Sequence, residues 1–187
     1  MWFDRLVPAA AIVLAMVPTY ADSPRYNLGR TPTAAEIDAW NIDVRADGQG
    51  LPPGHGSVEQ GRAIFAETCA ACHGDKARGG LAEPLTGGFG TLTNPNPVRT
   101  VGSYWPYATT LFDFVRRAMP FNAPESLSAD QVYAVSAYVL SLNGIVPDDT
   151  VLDAANLPRI AMPNRNGFIS PDPRPDAPGE PPAESGP

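Results

Sequence analysis

This 187-residue chain contains only two cysteines and two histidines, so the sulfur and imidazole ligands that transition metals prefer are scarce. A zinc site needs about four ligands, so a zinc-binding protein is a poor interpretation. The net charge of −7 provides no basic surface, which argues against non-specific nucleic-acid binding. The sequence also lacks the signatures of a P-loop, a dinucleotide-binding fold and a catalytic triad.

Proline and glycine are abundant, with 22 and 17 residues, so much of the chain is expected to be loop or tail. No alternation typical of strands and no internal repeat is evident. From Ile169 onward, seven of nineteen residues are prolines, with acidic residues between them. Such a segment cannot bury enough apolar surface to fold, and we predict that residues 169–187 are disordered.

The first residues favour export of the protein. Leu6 to Val17 is an apolar run that is too short to span a bilayer comfortably, and Thr19-Tyr20-Ala21 resembles a cleavage site. We therefore predict that residues 1–21 are a secretory signal peptide and that the mature chain is periplasmic. No second apolar stretch is long enough for a membrane span. The alternatives are an uncleaved anchor or a wrongly assigned start codon.

Three helix starts carry the capping-box pattern, in which Ser or Thr precedes Glu or Gln by three residues. After Ser57 and Ser128, apolar residues follow at helical spacing, which predicts helices from Ser57 to about Glu67 and over 128–142. The same spacing, without a capping box, predicts a helix over 109–118. A shorter helix is expected near Trp40. The chain is therefore predicted to be all-α. The three capping pairs are Thr33 with Glu36, Ser57 with Gln60, and Ser128 with Gln131.

Residues 69–73, Cys-Ala-Ala-Cys-His, form the C-x-x-C-H pattern of c-type haem attachment. Two residues between the thiols of Cys69 and Cys72, at the end of a helix, let them reach two vinyl groups on one porphyrin edge. His73 follows directly, so its imidazole can bind the iron. The pattern predicts one covalently attached haem c, which agrees with export because this attachment occurs in oxidising compartments.

Other interpretations of Cys69 and Cys72 are weaker. A thioredoxin-type C-x-x-C needs no following histidine and normally accompanies a βαβ pattern, which this chain lacks. A zinc site lacks ligands, because His55 is the only other Cys or His. A disulfide across two residues would be strained and would close almost no loop.

Haem iron can accept a sixth ligand. After removal of the predicted signal, Met119 and Met162 are the remaining methionines, with His55 and Lys76 as more remote options. Met119 lies 46 residues after His73, on a predicted loop between two helices. We predict that Met119 is the axial ligand, with Met162 as the fallback. A His/Met pair raises the reduction potential, which suits an electron carrier.

These residues resemble a class I cytochrome c. Gly61 and Phe65 before the C-x-x-C-H motif, and Tyr138 on the last helix, match the helix-crossing contact typical of that fold. The resemblance covers residues 57–144, which we predict as the cytochrome c domain. Residues 22–56 and 145–168 are then an N-terminal and a C-terminal extension, and the latter is expected to pack on the core.

A narrower resemblance is to the cytochrome subunit of bacterial Sox-type sulfane or sulfite dehydrogenases, which accompanies a molybdenum-containing subunit. It covers about residues 24–168. Some members of that family have two haems, whereas this chain has one attachment motif. The matching stretches are residues 43–45, 50–54, 100–113, 116–121, 142–144 and 162–168.

Four further residues are candidates for the haem environment. Arg116 or Arg117 can pair with a haem propionate, because a guanidinium matches carboxylate geometry; the alternative is a solvated helix face. Tyr104 and Trp105 can line the haem pocket; the alternative is ordinary core packing.

The sequence thus predicts a one-electron carrier without catalytic residues of its own. The resemblance implies a molybdenum dehydrogenase as electron donor and another cytochrome or an oxidase as acceptor. Two alternatives stay open. One is a freely diffusing cytochrome that serves a terminal oxidase, and the other is a haem enzyme or sensor with an open sixth position.

Overall fold

The computed structural model describes residues 28–169. The predicted signal peptide and all but the first residue of the predicted disordered tail lie outside the described residues. Helix α1 spans Ala34–Trp40, α2 Val58–Thr68, α3 Ala70–His73, α4 Ala108–Ala118 and α5 Ala129–Leu142. Strands β1 (His55–Ser57) and β2 (Val151–Asp153) and the 3₁₀ turns Asp75–Ala77 and Leu157–Arg159 complete the elements.

All three predicted capping boxes are confirmed. In each, the Ser or Thr side chain accepts from the backbone N–H three residues later, and the Glu or Gln side chain accepts from the cap N–H. These reciprocal bonds satisfy backbone donors that a helix start otherwise leaves unpaired. The helices predicted after Ser57 and Ser128 therefore begin where the local sequence specifies.

Helices α2 and α5 cross at Gly61. A Cβ added there would lie 1.9 Å from the Ala134 carbonyl oxygen, so the crossing requires glycine. Beside it, the rings of Phe65 and Tyr138 pack edge to face with centroids 5.4 Å apart. This confirms the predicted helix-crossing contact. Helix α5 is the centre of the core, because every residue from 132 to 140 is buried.

The chain on both sides of residues 57–144 contributes to the same hydrophobic core. Val44 comes from the N-terminal side, and Leu152, Leu157 and Met162 come from the C-terminal side. Strands β1 and β2 pair antiparallel, with Gly56 opposite Leu152. We expected no strand from the sequence. These strands have three residues each, too few for an alternating pattern to be visible.

Helix α1 differs from the other elements, because it buries no side chain. Ile37 is 50% exposed and Trp40 is 87% exposed. The helix is held at its start by its own capping box and by an ion pair between Arg30 and Glu36. Its stability therefore depends on local bonds and not on core packing.

Candidate functional site

The C-x-x-C-H segment forms a short helical turn directly after α2. The Cys69 N–H donates to the Phe65 carbonyl (2.9 Å), and the His73 N–H donates to the Cys69 carbonyl (3.0 Å). The turn ends at Gly74, which has a φ of +73° and would collide with the Gly79 carbonyl oxygen if it carried a Cβ. Cys69 and Cys72 are not joined by a disulfide.

The imidazole of His73 is oriented by a backbone carbonyl. Its Nδ1 lies 3.1 Å from the carbonyl oxygen of Glu83. A carbonyl only accepts hydrogen bonds, so this contact requires the proton on Nδ1 and leaves the Nε2 lone pair free. A hydrogen bond from the ring nitrogen that does not bind the metal is the usual way in which a protein orients a metal-binding histidine.

A cavity of about 760 Å³ lies against this segment. Cys69, Cys72 and His73 line one part of it, and Met119 lines another. Its volume is within the range of small-molecule and cofactor sites. The remaining wall is mostly apolar, with side chains that include Phe65, Leu85, Leu111, Val115, Val135 and Val139.

These residues fit a haem. Two thiols stand beside an imidazole with a free Nε2, and the walls are apolar enough to hold a porphyrin. Glu67 is the only Asp, Glu, Lys or Arg side chain among the residues that line this cavity. Burial raises the pKa of the Cys69 thiol.

Met119 follows the last residue of α4. Its N–H donates to the Val115 carbonyl (3.1 Å), and its backbone is extended there. Leu111 and Val115 precede it on the same side of α4 and also line the cavity. Helix α4 thus brings Met119 to the cavity that His73 also lines.

The other predicted ligands lie elsewhere. Met162, the fallback ligand, is 3% exposed, belongs to the hydrophobic core and does not line the cavity. His55 lies on β1, where its N–H donates to Asp130 Oδ1 (2.8 Å). Lys76 is exposed on the 3₁₀ turn and is also outside the lining.

The four residues predicted for the haem environment do not line the cavity either. Arg116 donates to the Ile42 carbonyl (3.1 Å), and Arg117 pairs with Asp113. Trp105 packs edge to face on Phe114 with centroids 5.7 Å apart. Tyr104 packs on Phe168 and beneath Arg99. These contacts give no support to the prediction that the four residues touch the haem.

Sequence reasoning missed three contributors to the cavity region. The Glu83 carbonyl is a backbone group, so no residue pattern identifies it. Leu81 and Phe121 line the cavity while remaining largely exposed, and they come from loops without periodicity. The proline at position 84 was a usable signal, since it restricts the backbone of Glu83 to extended conformations.

The rest of the described chain offers no competing site of this kind. An open depression of about 850 Å³ lies beside α1, lined by residues such as Arg30, Ile37 and Trp40, and no cysteine, histidine or methionine lines it. Within residues 28–169, no group of three or more His, Cys, Asp or Glu side chains can hold a metal ion. No helix in that range is long and apolar enough to cross a membrane.

Comparison with known proteins decides the family. The family described as "Cytochrome C oxidase, cbb3-type, subunit III" matches residues 56–139. A chain of the crystal structure of the sulfane dehydrogenase SoxCD from Paracoccus pantotrophus is 49% identical, with a TM-score of 0.75. The match covers 80% of this chain and 74% of that chain. This chain is a class I cytochrome c.

The cytochrome resembles the haem subunit of Sox-type sulfane dehydrogenase, as its sequence motifs predicted. Its role is electron transfer and not catalysis, and its family implies haem c as the cofactor. A search of curated proteins finds no match to the chain.

Proposed function

We propose that this cytochrome is an exported monohaem electron carrier. It accepts single electrons from a molybdenum-containing sulfane or sulfite dehydrogenase and passes them to another cytochrome or an oxidase. The observation that carries the proposal is that Cys69, Cys72, His73 and Met119 all line one apolar cavity.

Cys69 and Cys72 are the attachment residues in this proposal. Each thiol would hold the haem by a thioether bond, formed by addition of its S–H across one vinyl group with no leaving group. Cys69 is partly buried at the end of α2, and Cys72 is exposed on the turn that follows. The α2 and α3 backbone sets the separation of the two sulfurs.

His73 and Met119 are the proposed axial ligands. They would hold haem iron, and the haem when bound would supply a one-electron change between ferrous and ferric iron. The Glu83 carbonyl keeps His73 Nε2 available, and the Met119 thioether is uncharged. Uncharged ligands and apolar walls disfavour additional positive charge at the iron, so a high potential is expected.

The identity of the electron donor rests on similarity. The 49% identity to sulfane dehydrogenase SoxCD extends over most of both chains, including the segments outside residues 57–144. This similarity supports a molybdenum-containing sulfane dehydrogenase subunit as the source of electrons. Export is supported by the predicted signal peptide over residues 1–21 and by the oxidising environment that haem attachment needs.

The first test is the optical spectrum of the protein expressed in the periplasm, oxidised and reduced. Sharp reduced c-type bands with a weak near-infrared sulfur-to-iron band are expected. Met119→Ala removes the sixth ligand, so the sulfur band should vanish and the potential should fall. An unchanged potential would remove Met119 from the role. A high-spin wild-type spectrum would favour the haem enzyme or sensor.

The donor is tested by mixing the ferric cytochrome with a purified molybdenum sulfite dehydrogenase and sulfite, or with a purified sulfane dehydrogenase and a protein that carries bound sulfane sulfur. The growth of the reduced haem bands is followed by stopped flow. Reduction should be faster than that of an unrelated freely diffusing cytochrome c at equal concentration. Equal rates for the two cytochromes would instead favour a general carrier for a terminal oxidase.

A further inference from the structure

The N-terminal side of the chain is bonded to the helix that carries Met119. Residues 42–46, which we name the strap, lie along α4. Val44 N–H donates to Asp113 Oδ1 (2.9 Å), Arg116 donates to the Ile42 carbonyl (3.1 Å), and Thr109 donates to the Ala46 carbonyl (3.3 Å). Val44 itself is buried in the core.

The strap and the cavity are on opposite sides of α4. Residues three or four apart share a helix face, so Thr109, Asp113 and Arg116 form one face. Leu111 and Val115 face the cavity, in line with Met119. Helix α4 is therefore held between the strap and the cavity, and its position sets how far the Met119 thioether reaches.

Asp113, on α4, makes the central contact with the strap. It is buried, its Oδ1 accepts from Val44, and its Oδ2 accepts from Arg117. A buried carboxylate with both oxygens bonded is costly to disturb, because the freed group or its partner is left unpaired. The carboxylate thus resists separation of the strap from α4.

We propose that the strap, through Asp113, positions α4 so that Met119 stays on the haem iron. This rests on the proposed role of Met119 as axial ligand. Asp113 is then a positioning residue that acts through α4. Weakening the strap increases the fraction of molecules in which the sixth position is open. A competing ligand binds only that fraction, so its apparent affinity rises in proportion.

The test is titration of the ferric holoprotein with imidazole, together with the temperature at which the sulfur-to-iron band disappears. Asp113→Ala should bind imidazole about tenfold more tightly, equivalent to about 1.4 kcal/mol. The sulfur band should be lost at a lower temperature than the helical circular dichroism signal. Asp113→Asn keeps an oxygen that accepts from Val44 and should remain close to wild type.

The matched control is Asp130→Ala. Asp130 also accepts from a backbone N–H on the N-terminal side, that of His55, but it lies on α5. This variant should bind imidazole like wild type. If Asp113→Ala fails to fold, Thr109→Val removes another strap bond at nearly constant volume and should also tighten imidazole binding.

The outcomes separate the two proposals. The role of the strap is overturned if the wild type has the sulfur band and Asp113→Ala binds imidazole with unchanged affinity. If Asp113→Ala does not fold, unchanged affinity in Thr109→Val overturns it in the same way. An equal increase in Asp130→Ala would also overturn it, because general destabilisation would then explain the effect. A wild type without the sulfur band would instead reject Met119 as ligand and remove the basis of the inference.

Discussion

His73 shows how a single side chain is prepared for a metal by the backbone around it. The C-x-x-C-H motif places the imidazole beside the two thiols, but it does not decide which nitrogen carries the proton. The Glu83 carbonyl, 3.1 Å from Nδ1, decides that. In the proposed holoprotein, this hydrogen bond holds the imidazole with Nε2 available to the iron.

At Gly61, the Ala134 carbonyl at the α2–α5 crossing leaves no room for a side chain. Gly61→Ala gains helix propensity of about 1 kcal/mol. The added Cβ would nevertheless lie 1.9 Å from that oxygen, so the helices must move apart. We expect a net loss of about 3 kcal/mol in the free energy of unfolding, measured by urea denaturation.

Ala63→Leu is the control for Gly61→Ala. Ala63 is exposed on the same helix, so the added volume meets solvent and stability should change by less than about 0.5 kcal/mol. Equal losses in the two variants would show that α2 tolerates no larger side chain, and the crossing would not be the cause.

At the scale of elements, the helices differ in how they are stabilised. Helix α5 buries a continuous run of residues and has a capping box at Ser128. Helix α1 has the same type of box at Thr33 but buries no side chain. Helix α4 has no side-chain cap and is stabilised by its buried side chains, which pack against α5, and by its hydrogen bonds to the strap.

The two capping boxes provide a matched pair. Ser128→Ala should lower the free energy of unfolding by about 1 kcal/mol, because α5 forms only when the core forms. Thr33→Ala removes the same type of bond from α1 and should leave the thermal midpoint unchanged. A fall in the midpoint of Thr33→Ala comparable to that of Ser128→Ala would mean that α1 folds with the core.

At the scale of the whole molecule, the segments outside residues 57–144 contribute buried residues to the hydrophobic core. Leu152 and Leu157 are fully buried, and β2 pairs with β1. The 3₁₀ turn Leu157–Arg159 also contacts α4. The boundaries 22–56, 57–144 and 145–168 stay predictions, but residues 57–144 alone lack part of the packing that the chain uses.

Truncation separates these roles. A chain that ends at Gly144 loses the buried side chains of Leu152, Leu157 and Met162, each worth about 1.5–3 kcal/mol of burial. It should therefore be strongly destabilised or fail to accumulate as holoprotein. A chain that ends at Ile169 lacks only the predicted disordered tail and should have the thermal midpoint of the full chain. Full stability of the shorter chain would contradict this account of the core.

Much of the fold was predictable because its signals are local. A capping box involves residues three apart, and an apolar helical stripe is visible within two or three turns, so α2, α4 and α5 lie within a residue or two of their predicted bounds. The β1–β2 pair was missed, because its pairing joins distant parts of the chain. The propionate role predicted for Arg116 and Arg117 gained no support, because their partners are the strap and Asp113.

The sequence by itself determined the C-x-x-C-H segment on which the predicted attachment chemistry rests, since Cys69, Cys72 and His73 lie within five residues and one turn of backbone sets their spacing. It also limited the sixth ligand to a few residues. The tertiary structure places Met119 on the cavity wall and Met162 in the core, and this placement supports the proposal that Met119 is the ligand. It also supplied the Glu83 carbonyl and the strap, because contacts between distant segments depend on packing and leave no pattern along the chain.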